Sequence, residues 1–325
     1  MNPPLPISFN DIQLAARRLE GHVVRTPLLE SNVLNERCGG RVFIKPEVLQ
    51  QTGSFKLRGA LNKLLSLTEQ ERQSGVLAFS SGNHAQGVAY AARLLGVQAT
   101  IVMPADAPAI KIQRTREYGA QVVLYDRLKE DREAIARELA GDSGAVTIKP
   151  FDDPYVMAGQ GTVGLEICEQ LGAVTLDVAL APCGGGGLIA GVGTALKAHF
   201  ADIQIYAVEP AGFDDTVRSL AEGARVSNPA DSRSICDALL SPAPGVLTFA
   251  VNLHNGIGAV SVSDAEVRQA VRFAFEHLKL VVEPGGAVAL AALLTGKVTL
   301  DGRTAAVVLS GGNVDPLSYA QCLEA

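Results

Sequence analysis

Short apolar runs rich in β-formers alternate with helical patterns along most of the chain. Residues 76–79 read as a strand, and the Ala-rich stretch 85–95 as the helix after it. A strand at 99–103, a helix at 109–118, a strand at 121–125, a helix at 128–140 and a strand at 145–149 continue the series. It resumes with a strand at 178–181, a helix at 188–199 and a strand at 203–208, and a buried strand at 305–309 closes it. Ser263, with Glu266 three residues on, has the form of a capping box, and an apolar-periodic helix to His277 follows. Such βαβ succession predicts parallel sheets covered by helices on both faces. Two series, with no Ser/Gly linker between them, predict two closely packed α/β domains with a cleft between.

Composition sharpens this picture. The 325 residues exceed what one typical core fills comfortably. Hydrophobic residues make up 47% and charged residues 19%, the balance of a folded globular chain. Trp is absent and aromatics are sparse, so Ala, Val, Leu and Ile must build the core, as suits parallel sheets. A net charge of −6 argues against non-specific nucleic-acid binding, which needs a basic face. The cysteines, at 38, 168, 183, 236 and 322, are odd in number and widely spaced. That predicts neither a disulfide framework nor a zinc site, and fits a reducing cytoplasm. Residues 1–6 show no signal-peptide pattern. Residues 178–196 carry no charge, yet Pro182 and four consecutive glycines break the run. It reads as a buried strand, a glycine loop and a packed helix rather than a membrane span.

Four segments carry candidate chemistry. The first is Ser54-Phe55-Lys56-Leu57-Arg58-Gly59. Lysine forms Schiff bases when burial or nearby cations hold its amine near neutrality, and Arg58 is close in sequence. Taken alone, Lys56 is an ordinary surface lysine. The second is Ser80-Ser81-Gly82-Asn83-His84, joining a strand end to a helix start, where open α/β sheets bind ligands. Free N–H groups there suit a carboxylate, although a plain N-cap uses the same residue types. Ser81 and His84 are poorly spaced for a nucleophile–base pair. The third is Pro182-Cys183-Gly184-Gly185-Gly186-Gly187, which lets the backbone curl around a phosphate. It lacks the third glycine of the dinucleotide fingerprint and the Gly-Lys-Ser/Thr of a Walker loop. The fourth is Ser310-Gly311-Gly312-Asn313 after the last strand, where Ser310 could bond a ring nitrogen or simply sit in a terminal turn.

Together and in this order, these segments resemble the fold-type II pyridoxal-phosphate (PLP) enzymes, in the branch of threonine/serine dehydratases, serine racemases and hydroxyaspartate dehydratases. The likeness runs from Arg25-Thr26-Pro27-Leu28 to Asn313. It implies a tryptophan synthase β-like α/β fold of two open, twisted, mostly parallel sheets flanked by helices. Residues 1–72 and 153–325 would form a large PLP-binding domain and 73–152 a small substrate domain, with the cofactor in the cleft. The resemblance makes Lys56 the Schiff-base lysine and places Phe55 beside the ring. Asn83 would bond the 3′-oxygen, Gly184, Gly185, Gly186 and Gly187 the phosphate, and Ser310 the pyridine nitrogen. Ser81 matches the second acid/base on the opposite ring face. Ser80, Ser81, Asn83, His84, Arg132 and Ser241 would meet substrate, with Arg132 able to take a β-carboxylate by a bidentate contact. For Arg132 a solvated helix face is the competing use. Glu209, Asp215 and the Phe213 carbonyl match a divalent-metal loop suited to Mg²⁺, the alternative being a solvated acidic loop. Ala238 stands where the family usually has glycine, which adds a methyl near the ring. Glu283-Pro284-Gly285-Gly286 matches a Glu-Pro motif with a small variation. The regulatory domain of the long biosynthetic threonine dehydratases is not expected.

The implied activity is an ammonia-lyase (dehydratase) acting on L-serine, L-threonine or a related 3-hydroxy amino acid such as 3-hydroxyaspartate. Lys56 would take the α-proton, and a 2-oxo acid and ammonia would follow β-elimination. The neutral Ser310 hydroxyl, unlike a carboxylate, weakens the electron sink and favours prompt elimination. A racemase would share every motif and differ in how Ser81 returns a proton. A β-replacement synthase usually carries Thr-Ser-Gly-Asn-Thr at the second segment. A non-catalytic PLP or amino-acid-binding regulator would need neither Lys56 nor Ser81. The expected partners are a small amino-acid substrate and a second copy in a homodimer, with no nucleic acid and no membrane, in the cytoplasm.

Overall fold

The computed structural model describes residues 5–80, 82–107, 109–126 and 129–324, and the side chains at 132, 133 and 142 lie outside that description. Among the described residues, ten strands form two sheets. The strands are β1 (Leu29–Glu30), β2 (Arg41–Pro46), β3 (Val76–Phe79), β4 (Ala99–Pro104), β5 (Gln121–Tyr125), β6 (Val146–Thr147), β7 (Val178–Pro182), β8 (Gln204–Pro210), β9 (Gly258–Val262) and β10 (Thr304–Leu309). One sheet has the order β1-β2-β10-β7-β8-β9 and the other β5-β4-β3-β6. Only the short β1–β2 pair is antiparallel. The chain is therefore α/β, with two mostly parallel sheets flanked by helices, as the sequence predicts. β10 lies inside its sheet, with Ala306 paired to Phe43 on one side and Ala179 on the other. Helices cover both faces, which is why β7 and β10 are continuous apolar runs rather than alternating ones.

A long helix, Pro154–Leu171, organises the site from behind. Asp153 caps it by accepting from the amides of Tyr155 and Val156, and Pro154 occupies its first turn, where no N–H is needed. Glycines let two other helices approach its backbone. A Cβ on Gly159 would fall 2.6 Å from the Arg58 carbonyl, and one on Gly191 would fall 2.5 Å from the Gly161 nitrogen. Those contacts stack the helices Lys56–Leu65 and Gly187–His199 on one support. A buried ion cluster completes it. Arg58 lies 2.7 Å from Glu47 and 2.6 Å from Glu166, and Lys45 lies 2.6 Å from Glu166. The cluster joins the end of β2, the helix beginning at Lys56 and the long helix.

Three elements differ from expectation. The helix expected at 128–140 is Arg132–Ser143, because the amides of Lys129 and Glu130 turn back onto the Asp126 carbonyl first. The strand expected at 145–149 pairs only over Val146–Thr147 at the sheet edge. The helix from Ser263 is α-helical over Asp264–Phe273 and ends in a π turn, Ala274–Leu278, closed by Lys279 at φ 60°.

Candidate active site

Carboxyl ends of strands from both sheets open onto one cavity of about 490 Å³. Ser80 follows β3, Lys149 follows β6, Gly184 follows β7 and Ser310 follows β10, and all four line it. The position and the size are those of ligand sites in open α/β folds.

Lys56 is the first residue of its helix, and its Nζ donates to the Pro150 carbonyl at 2.8 Å. Burial pushes its pKa down to about 8. Arg58 takes no part in this, because its guanidinium points into the Glu47–Glu166 cluster. Phe55 lines the cavity, with the Lys56 ammonium 5.1 Å from its ring centre. Its amide donates to the Ser310 carbonyl at 3.1 Å, and Ser54 bridges Gly311, so the first and fourth segments lie side by side. The Ser310 side chain lines the cavity and has no hydrogen-bond partner among the described residues.

Gly184, Gly185, Gly186 and Gly187 also line the cavity and lead into the helix Gly187–His199. Gly186 sits at φ 89°, a left-handed turn open to glycine at little cost. The amides of Gly184, Gly185 and Gly187 have no acceptor among the described residues. Free amides at a helix start, beside a lysine of lowered pKa and an unengaged serine hydroxyl, fit PLP. These residues would hold its phosphate, its aldehyde carbon and its ring nitrogen respectively.

The second segment is placed more unevenly. Asn83 lines the cavity with its side-chain amide already bonded, its Nδ2 to Glu283 and its Oδ1 to Asn313 at 2.9 Å. One N–H of that amide remains for a ligand oxygen. Burial raises the Glu283 carboxyl, and Lys111 partly offsets this. His84 is buried, with Nε2 2.9 Å from the Ile148 carbonyl, so that nitrogen carries the proton. Burial and the Lys56 charge push its pKa down to about 3. His84 is therefore neutral and cannot meet a carboxylate as a cation. Ser80 lines the cavity and accepts from the Gly82 amide at 3.2 Å. Ser81 lies outside the described residues. Arg132 begins its helix and its side chain also lies outside the description. Ser241 lines the cavity near Gly184, and Ala238 lines it with its Cβ against Gly285.

Glu209 ends near the close of β8 and accepts from the amides of Thr216 and Val217 at 3.1 and 2.9 Å. Burial first, and the Asp215 charge second, push it up to about 8, and burial raises Asp215 to about 6. Asp215 Oδ2 is buried without a partner. Two buried carboxylates with an unsatisfied oxygen are an electron-rich donor set that suits a hard cation. Among the described residues no cluster of three Asp, Glu, His or Cys side chains is placed to hold a metal. Phe213 lies in the loop between them, its amide on the Pro210 carbonyl.

Sequence reasoning missed the segment that carries the chain back from the small sheet. The Ile148 and Pro150 carbonyls receive His84 and Lys56, and Phe151 and Asp152 line the cavity. Asp153 caps the long helix and Pro154 opens it, but no local pattern marks the residues before them. Lys111 was missed as well. It pairs with Asp237 across the cleft at 2.7 Å, close behind Gly82.

Comparison with known proteins adds an independent line. The family model "Pyridoxal-phosphate dependent enzyme" matches residues 19–311. An L-threo-3-hydroxyaspartate ammonia-lyase of Pseudomonas sp is 46% identical over 98% of this chain and 98% of its own. A serine racemase of Schizosaccharomyces pombe is 39% identical over 97% of each chain. The crystal structure of a T.th. threonine deaminase superposes with a TM-score of 0.89 at 46% identity, covering 95% of this chain and 99% of that one.

Proposed function

The chain belongs to the family of pyridoxal-phosphate dependent enzymes, and from that premise we propose that it is an ammonia-lyase converting a 3-hydroxy amino acid to a 2-oxo acid and ammonia. The observation that carries this is Lys56, an amine lowered to about 8 by burial, facing the same cavity as the glycine loop and Ser310. Ammonia-lyases among its relatives, including the hydroxyaspartate enzyme at 46% identity, favour elimination. Serine, threonine and 3-hydroxyaspartate are the candidate substrates. Racemisation is the second reading, favoured by the 39% identical racemase.

When bound, PLP supplies an electron sink for the charge left at the substrate's α-carbon. The protein's residues do the rest. Lys56 removes the α-proton, which its lowered pKa equips it to do near neutral pH. The turn at Ser80, Gly82 and Asn83 receives the substrate carboxylate, and Lys111 behind it adds positive potential. Ser81 would return a proton in a racemase. Arg132 and Ser241 are assigned to the substrate's side chain, and Arg132 would suit a β-carboxylate. Glu209, Asp215 and the Phe213 carbonyl would bind Mg²⁺.

Residues 1–72 with 153–325, and 73–152, are the two domains of this reading, and each holds one of the sheets. A homodimer in the cytoplasm is proposed with it. No helix among the described residues is long and apolar enough to cross a membrane. The test is to give holoenzyme serine and L-threo-3-hydroxyaspartate, measure 2-oxo acid and ammonia, and resolve residual substrate by chiral chromatography. Elimination without inverted amino acid is expected. Inversion without 2-oxo acid would replace the lyase by the racemase, and Lys56→Ala retaining both cofactor absorbance and turnover would refute the site.

A further inference from the structure

The back of the glycine loop is held by a helix that the reading above does not use. Thr248 Oγ1 donates to the Gly185 carbonyl at 2.6 Å, and the Gly245 amide adds a second bond at 3.2 Å. One turn on, Asn252 Nδ2 lies 3.5 Å from the Gly186 carbonyl. Thr248 and Asn252 are buried on the helix Val246–His254, whose cap residue, Gly245, has no side chain to satisfy the first amides. Asp152 does so from another part of the chain. Its Oδ1 accepts from Leu247 N at 2.7 Å and Thr248 N at 3.3 Å. The residue before it, Phe151, packs against Gly185 and Gly187 so closely that a Cβ on either would collide with it.

A trans peptide is planar, and its C=O and N–H point in opposite directions. Fixing the Gly186 carbonyl toward Asn252 therefore directs the Gly187 N–H, one of the free amides, away from that helix, and fixing the Gly185 carbonyl toward Thr248 holds the preceding peptide with its Gly186 N–H on the Cys183 side. Four consecutive glycines have no side chains to enforce one peptide orientation, and each can flip at little steric cost. A flip would present a carbonyl oxygen, instead of an N–H, to an anion.

We propose that Thr248, Asn252 and Asp152 are positioning residues for the cofactor's phosphate: the first two pin the loop's carbonyls behind it so that its amides face the anion, and Asp152 sets the helix that does the pinning. This rests on the PLP reading of the cavity. It also gives the returning segment a task, because residues 151 and 152 then link the small sheet's exit to the grip on phosphate.

The test strips cofactor from the holoenzyme and titrates the protein with PLP and, separately, with pyridoxal, which has no phosphate. Absorbance reports both, and ³¹P NMR reports the bound phosphate. Thr248→Val should weaken PLP binding about tenfold, the size of one unmade buried hydrogen bond, and leave pyridoxal unchanged. Thr248→Ser should restore the wild-type value, and Asp152→Ala should weaken PLP about threefold with the same indifference to pyridoxal. Equal losses for the two ligands in Thr248→Val would mean general damage and overturn the proposal, as would unaltered PLP affinity. Asp152→Ala, remote from the loop's own bonds, keeps the question answerable if Thr248→Val folds poorly. A wild-type protein that takes up no PLP would instead sink the cofactor reading.

Discussion

The lysine's lowered pKa can be read directly from how fast the cofactor-free protein captures PLP as pH is raised. Only the neutral amine attacks an aldehyde. With a pKa of about 8, roughly one Lys56 side chain in ten is neutral at pH 7. An unperturbed lysine at 10.5 would be neutral in about one of 3,000, so the structure predicts capture about 300-fold faster at that pH than for an exposed lysine. The rate should climb about tenfold per unit below pH 7 and level off above about pH 9. Stopped-flow absorbance measures it, and pyridoxal in place of PLP removes the contribution of phosphate ionisation. Because burial is the cause, raising salt about tenfold should leave the midpoint in place, since salt screens charges and not desolvation. The same shift has a stability consequence. Between about 8 and 10.5 the unfolded chain holds a proton on this lysine that the folded one has released, so stability rises with pH across that window. A capture midpoint near 10.5, or one that moves strongly with salt, would refute the burial argument.

Arg58→Ala should cost about 3–5 kcal/mol in chemical denaturation, because Glu47 and Glu166 would be left buried without their shared cation. A loss below about 1 kcal/mol would contradict that. Mg²⁺ at about 100 times its dissociation constant should stabilise the fold by about 2.7 kcal/mol, and Glu209→Gln should remove the effect. An unchanged Tm on adding Mg²⁺ would refute the metal assignment. His84 should remain neutral in an NMR titration down to about pH 5, because its pKa lies at about 3. Its share of stability is full above pH 6.5 and is lost as pH falls toward 3, because the unfolded chain protonates first. Arg132→Ala should lower kcat/KM for 3-hydroxyaspartate about tenfold or more and spare serine, the signature of a lost charge-assisted contact. Equal effects on both substrates would remove Arg132 from specificity.

Legibility varied with the kind of signal. The strand at 121–125 and the helix after the glycine loop have strong local patterns, and the structure places both within a residue of expectation. The helices Pro154–Leu171 and Pro284–Leu294 are buried on nearly every face, the first with polar residues such as Gln160 and Glu166 among its buried positions, so neither has an amphipathic period to detect. Arg58 is the clearest misdirection. Its nearness in sequence suggested a cation acting on Lys56, but it lies two residues along a helix and faces elsewhere.

What the sequence determined by itself was local: which residue types stood at strand-to-helix junctions, and in what order. The four glycines alone suggested a phosphate loop, because their backbone freedom is a property of the residue, while the lysine and the serine gained their PLP roles only through the resemblance of the four ordered segments to a known family. Tertiary structure decided the rest. It supplied the burial that lowers Lys56 and neutralises His84, and it brought Asp152 and Thr248, 96 residues apart, behind the same glycine loop. Desolvation and long-range hydrogen bonds depend on what the folded chain packs together, and no local pattern records that.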